Sequence, residues 1–283
     1  TQPEAGRYIS KTFKVCPFNV DGLPKTISIL GFTININNDG LEEEGAIAIG
    51  KYIANSDIDV FALSEDFNFH PSLAAQINDD YTFGTYRGGI STSNLSGTKV
   101  NTDGLEFLAK APFSFAEETC TPWNKTYGYT TNGSDELIKK GYRYYVVDLG
   151  GGAFVDFYIL HMDAETDPKD NEARASQWEQ LRDDILSKST NRPVIVMGDT
   201  NSRYTRDDIL NLFTNPIVAD GNYTVSDVWV EKCKGGNYPE LGSEALVVPE
   251  ADRTKSSAYV ANEIVDKVLY LNPTHGGMKL TPN

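Results

Sequence analysis

The stretch Pro193–Asn201, PVIVMGDTN, sets the apolar residues Val194 to Met197 ahead of Gly198, Asp199, Thr200 and Asn201. A short apolar run closed by turn residues reads as a strand buried on both faces. A carboxylate and an amide then stand side by side at its end, where ligands and reacting groups commonly sit. A routine Gly-Asp turn would give the same letters, so the other strand ends must decide.

Upstream, Tyr142 to Leu149 and Phe154 to Leu160 read as two strands joined by Gly150-Gly151-Gly152, the composition of a hairpin turn. Between them and PVIVMG, Asn171 to Ser187 has helical spacing, with Ala175, Trp178, Leu181 and Ile185 as its apolar stripe. Asp59 to Ser64 (DVFALS), Thr12 to Phe18, Gly104 to Ala109 and Glu263 to Tyr270 are further strands. Glu42 to Ala54 is a helix presenting Ala46, Ile49, Ile53 and Ala54 on one side. Hairpins mixed with strand–helix–strand passages favour a layered α/β sandwich over an all-parallel doubly wound sheet. There is no internal repeat or linker tract, and Gly84 to Val100 and Lys234 to Ser257 read as long surface loops. A single domain over residues 1–283 is expected, acting as a monomer.

The 283 residues are 40% hydrophobic, enough to bury a large core. Forty acidic against 25 basic residues give a formal charge of −15. Such a surface repels polyanions, although an enzyme can still meet phosphate through a divalent ion. No apolar run approaches the ~20 residues that span a bilayer. The opening TQPEAGRYISK lacks the apolar core of a signal peptide, and a start at Thr1 reads as processed or trimmed. Cys16, Cys120 and Cys233 are scattered without paired metal-ligand spacing, so a zinc site is not expected. Cys16, inside FKVCPF, reads as a small buried hydrophobe, and one disulfide between Cys120 and Cys233 is left open.

Chemically suitable residues recur at the strand ends. Asn19 and Asp21 follow the first strand, Glu65 and Asp66 follow DVFALS, His161 and Asp163 follow VDFYIL, Asp199 and Asn201 follow PVIVMG, and Asp266 lies in EIVDKVLY. Carboxylates, amides and a histidine in this arrangement are what metal-assisted phosphoester chemistry requires. The fragments NVDG, LSED, ILHMDA, GDTN and VDKVLY, in this order from about Thr12 to Tyr270, resemble the endonuclease/exonuclease/phosphatase superfamily.

That resemblance implies a four-layer αββα sandwich, two mixed sheets flanked by helices, with an active site at one sheet edge. It implies divalent-metal-dependent hydrolysis of phosphoester bonds, with Mg2+ as the ion and Mn2+ or Ca2+ as alternatives. Glu65 would be the principal metal ligand, assisted by Asn19 and Asp21, with Asn19 also near the phosphate. His161 would contact the scissile phosphate, as an imidazolium stabilising charge or as a proton donor. Asp199 would orient or deprotonate water, Asn201 would hold a phosphate oxygen, and Asp266 would support a histidine further along. The family closes with a Ser-Asp-His strand. No such triplet follows Asp266, and His275 in THGG reads as a loop residue, so the domain is read as lacking that strand. A catalytically impaired relative that binds a phosphorylated or lipid ligand is the alternative.

The substrate classes implied are a phospholipid head group, nucleic acid or an inositol phosphate. HMDAETDPKDNEARASQWEQL resembles secreted neutral sphingomyelinases and their bacterial relatives, which implies a secreted or periplasmic protein. Arg174 and Gln177 in that segment read as the outer face of the helix.

Overall fold

The computed structural model describes residues 10–283 apart from 30–31, 36, 38–39, 88–102, 129–137, 189 and 244–262. Most of the two expected surface loops falls outside the described residues. DVFALS forms β4 (Val60–Ser64), every residue of which is buried. It runs parallel to β1 (Val15–Asn19) and antiparallel to β6 (Glu106–Lys110), and β5 (Tyr81–Phe83) completes this four-stranded sheet. PVIVMGD forms β10 (Val194–Asp199), parallel to β9 (Phe154–His161) and antiparallel to β12 (Asp266–Pro273). On one side β8 (Gly141–Asp148) and β7 (Ser114–Pro122) follow β9; on the other, β11 (Tyr223–Asp227) pairs with β12. A separate hairpin joins β2 (Thr26–Ile29) to β3 (Phe32–Asn35).

Side-chain alternation explains why the central strands read as unbroken apolar runs. Val60 and Ala62 of β4, with Ile195 and Met197 of β10, fill the layer between the sheets together with Phe107, Val155, Phe157 and Ile159. Phe61 and Leu63 face the opposite way, against Ala46 and Ile53 of α1 (Glu42–Asn55) and Leu73 of α2 (His70–Ala74). Val194 and Val196 face α3 (Pro168–Lys188) through Trp178, Leu181 and Ile185. A π-helical turn (Leu210–Thr214), α4 (Asn215–Asp220) and α5 (Val228–Cys233) extend that layer with Phe213, Ile217 and Trp229. The architecture is therefore the expected αββα sandwich with two mixed sheets.

Two boundary shifts matter for function. The first strand begins at Val15 rather than Thr12 and runs on to Asn19. The last begins at Asp266 rather than Glu263, which puts Asp266 at a strand mouth instead of inside the strand. The cysteine expectations also change, because all three thiols are free and Cys16 is only half-buried. The Cys120 sulfur lies 3.3 Å from both Asp103 Oδ2 and Arg87 Nε, engaged there rather than with Cys233.

Next to that thiol, Arg143 is fully buried and donates to Asp103 at 2.7 and 2.6 Å and to the Thr85 carbonyl at 2.7 Å. Removing one member of a buried ion pair strands the other charge. Arg143→Met should lower the unfolding free energy by about 3–5 kcal/mol. Adding Asp103→Leu should recover at least half of that loss in a urea-unfolding double-mutant cycle. Additive losses would show that the pair does not act as a unit.

Candidate active site

Strands β1 and β4 are in register to their ends, Asn19 opposite Ser64, so their loops leave the sheet side by side. Val20 N donates to Ser64 O and Gly22 N to Glu65 O, both at 2.9 Å. A Cβ at Gly22 would lie 2.3 Å from Glu65 O, so only glycine permits this approach. Glu65 has φ +59° and Asp21 φ +47°, each a left-handed conformation costing roughly 1–2 kcal/mol for a residue with a Cβ. Turned this way, the Glu65 carbonyl accepts from both Gly22 and Phe67.

The other sheet contributes a row of three. His161 ends β9 and Asp199 ends β10 as partners, and Asp266 opens β12 as the other neighbour of Asp199. Gly198 has φ +146°, and a Cβ there would lie 2.0 Å from Leu160 O, so the strand before Asp199 tolerates no side chain. Asn201 has φ +48°; its N–H donates to Asp199 Oδ1 at 2.9 Å and its side-chain Nδ2 to the Met162 carbonyl at 3.1 Å.

The two halves meet at Asn19. Its Nδ2 donates to Glu65 Oε1 at 2.9 Å and to Asp199 Oδ2 at 3.0 Å. His161 Nε2 lies 3.8 Å from that Glu65 oxygen and 3.9 Å from that Asp199 oxygen. Asn19, Glu65, His161, Asp199, Asn201 and Asp266 thus converge. Asp21 stands apart from this knot: its N–H donates to Asn19 Oδ1, while its exposed carboxylate accepts from Asn37 Nδ2 at 2.6 Å, at the rim. His275 is exposed in the turn after β12.

Acidic charge is under-compensated here. Burial raises the Glu65 carboxyl, opposed by the positive charge of Lys140 and the Asn19 hydrogen bond. Burial and the facing Asp199 carboxylate push Asp266 up to about 7. Asp266 Oδ1 is buried with no hydrogen-bond partner among the described residues. His161 is displaced the other way: burial and then the Lys140 charge hold its imidazole well below the usual range. Both causes favour the neutral imidazole.

Several residues of the site carry no signal that separates them from ordinary sequence. Lys140, only 4% exposed, donates to the Met162 carbonyl at 3.4 Å and is the cation felt by both Glu65 and His161. Trp123 Nε1 donates to the His161 carbonyl at 2.7 Å. Arg174 and Gln177, expected on the outer face of their helix, are instead completely buried. One Arg174 nitrogen donates to the carbonyls of Asp163, Ala164 and Glu165, and Nε to Asp207, so the loop after His161 is clamped. Gln177 accepts from Asp163 N and donates to its carboxylate, fixing the same loop from beneath.

Residues 18–249 match the sequence profile of the Endonuclease/Exonuclease/phosphatase family. The chain belongs to that family. Within it, the chain is 26% identical over 268 residues to a sphingomyelinase of Mycobacterium tuberculosis, covering 93% of this chain and 45% of the relative. The endonuclease/exonuclease/phosphatase chain described here thus spans about half the length of the relatives it matches in sequence. Among solved structures it resembles sphingomyelinase C from Streptomyces griseocarneus, at 19% identity and TM-score 0.56, over 92% of this chain and 84% of that one. It also resembles D. rerio TDP2 complexed with a single-strand DNA product, at 15% identity and TM-score 0.60, over 96% and 88%. At these identities the likeness establishes the fold.

Proposed function

We propose that this family member is a divalent-metal-dependent phosphoester hydrolase, with a sphingomyelin-type phosphodiester ahead of nucleic acid as substrate. The observation that carries the reading is the Asn19 amide bridging Glu65 and Asp199 with His161 within 4 Å of both carboxylates. Three carboxylates, Glu65, Asp199 and Asp266, stand against two buried lysines, Lys140 beside Glu65 and Lys267 beside Asp266, and the donors are oxygens, a set suited to a hard ion. Glu65 and Asn19 would hold Mg2+, or Mn2+ or Ca2+ in its place, with Asp21 reaching in from the rim. Such an ion supplies Lewis-acid stabilisation of the phosphoryl and leaving oxygens. The alternative of an impaired, ligand-binding relative is not favoured, because the acid, amide and imidazole groups converge instead of scattering.

The protein's own groups divide the remaining work. Asp199 would accept a proton from the attacking water, while Asn19 and Asn201 fix its carboxylate. Neutral His161 would donate an N–H to a phosphoryl oxygen, a role that does not need a resting positive charge. The acidic surface and the relative's sphingomyelinase name both support a lipid phosphodiester over a polyanion. The resemblance of HMDAETDPKDNEARASQWEQL to secreted neutral sphingomyelinases supports a secreted or periplasmic location.

The test is hydrolysis of sphingomyelin vesicles, single-stranded DNA and an inositol polyphosphate, each with Mg2+, Mn2+ or Ca2+ and with excess chelator. Sphingomyelin turnover abolished by chelator is the expected result. Glu65→Gln should lower kcat/KM roughly 10²–10³-fold. Chelator-resistant turnover, or full activity of the Glu65 variant, would reject the reading.

A further inference from the structure

Directly behind Glu65 lies a second cluster that the hydrolytic site does not use. Asp66 follows β4, His70 opens α2 and Glu106 opens β6. Each offers a ligand atom, and these atoms all lie within 4.8 Å of one another. Asp66 and Glu106 are 2% and 0% exposed, and the His70 side chain 13%. His70 Nδ1 is 2.5 Å from Asp66 Oδ2, and Asp66 N donates to the Gly104 carbonyl at 2.9 Å.

The independent observation is an orphaned acceptor inside this cluster. Glu106 Oε1 takes one hydrogen bond, from Phe107 N, while Oε2 is buried with no partner among the described residues. A buried carboxylate oxygen without a donor is costly. The guanidinium whose charge reaches Glu106, Arg143, spends two donors on Asp103. Burial and then the Asp66 charge push the Glu106 carboxyl up to about 7, which Arg143 only partly opposes. His70 is tied through Nδ1 to Asp66, so what the cluster lacks among the described residues is a partner for Glu106 Oε2.

The surroundings suit a fixed ion. The Tyr86 ring stacks on the His70 imidazole at 4.0 Å and 10°, Phe83 meets its edge at 5.7 Å, and the Tyr86 hydroxyl is tied to the Phe67 carbonyl. A Cβ at Gly84 would stand 2.9 Å from Glu106 Oε1, so glycine keeps that side of the carboxylate open. One imidazole with two carboxylates is a donor set for a borderline first-row ion such as Zn2+; Mg2+ prefers oxygen alone. Cysteine spacing bears on thiolate sites only and leaves this one untouched.

We propose that Asp66, His70 and Glu106 form a second, structural metal site for Zn2+, separate from the ion at Glu65. It would tie the loop that carries Glu65 to α2 and β6, holding the left-handed turn at Glu65 from behind.

The test uses the whole chain, stripped by chelator and given Zn2+ alone. The Glu65→Gln variant should still retain one Zn2+ per chain by elemental analysis, and should melt at higher temperature with Zn2+ than without it. Glu106→Gln, which keeps the shape, and His70→Gln should each weaken Zn2+ binding at least about tenfold while far-UV circular dichroism is unchanged. Co2+ in the site should show no thiolate charge-transfer band. Failure of the Glu65→Gln chain to hold Zn2+ would overturn the proposal, as would unchanged affinity in the Glu106 variant. So would loss of binding on Cys120→Ser, or tighter binding of Mg2+ than of Zn2+. None of these readouts depends on turnover, so they stand or fall apart from the hydrolase reading.

Discussion

Asp199→Asn should lower kcat/KM for the phosphodiester by about 10³-fold, within the 10²–10⁴ range of a positioned general base. The substitution keeps the shape of a residue that is 6% exposed and lies between His161 and Asp266 in the strand row. Its one oxygen keeps the bond from Asn19 and gives up the one from Asn201 N, a loss offset by removing a like charge beside Asp266, so the melting temperature should move little and the loss of rate belongs to the chemical step. What disappears is the proton acceptor for water, together with one carboxylate of the acidic knot. Steady-state kinetics with saturating metal, alongside thermal melts, make the measurement. A loss smaller than tenfold would remove Asp199 from the proton-accepting role.

Asp266→Asn should move stability and activity in opposite directions. The folded carboxyl ionises near pH 7, above its ordinary value of 3.8, because of burial and the Asp199 charge. A carboxyl raised in the folded state binds a proton that the unfolded chain has already lost, so stability falls as pH climbs from about 4 to 7 and stays low above that. Three pH units correspond to about 4 kcal/mol at 1.36 kcal/mol each; partial solvent screening reduces this to roughly 2 kcal/mol. With chelator at pH 8, the Asn variant should unfold with about 2 kcal/mol more free energy than the parent, and at pH 4 the two should coincide. Turnover at pH 8 should fall roughly 10–100-fold, as for a residue acting through its neighbour. Equal stability gains at both pH values would show that the Asp266 charge is not the source.

The layers were legible where burial on both faces leaves a mark. DVFALS and PVIVMGD carry no polar alternation because Val60 and Ala62 meet one layer and Phe61 and Leu63 another. The triple glycine marked its hairpin because all three residues sit at positive φ, from +70° to +84°. Strand β7 left no such mark: SFAEETCTP alternates exposed with half-buried positions at the sheet edge, and its threonines and acids look like loop. The strand-end residues were readable one by one, but their convergence depends on register between distant strands, such as Asn19 opposite Ser64 and Asp199 opposite Asp266. Arg174 was misread for a physical reason. A long cation on a helix is normally solvated, and this one is turned inward by three backbone carbonyls that no periodicity encodes.

The Asn19 bridge runs between different sheets: Asn19 and Glu65 leave the four-stranded sheet, Asp199 the six-stranded one. The sheets behave like two jaws whose gap is set by the apolar filling of Phe107, Phe157, Ile195 and Met197 rather than by any residue touching substrate. A shift of about 1 Å in reacting geometry can cost about 10²-fold in rate. Volume changes in that filling therefore reach catalysis from deep inside the fold, and turnover is a finer gauge of sheet spacing than melting temperature.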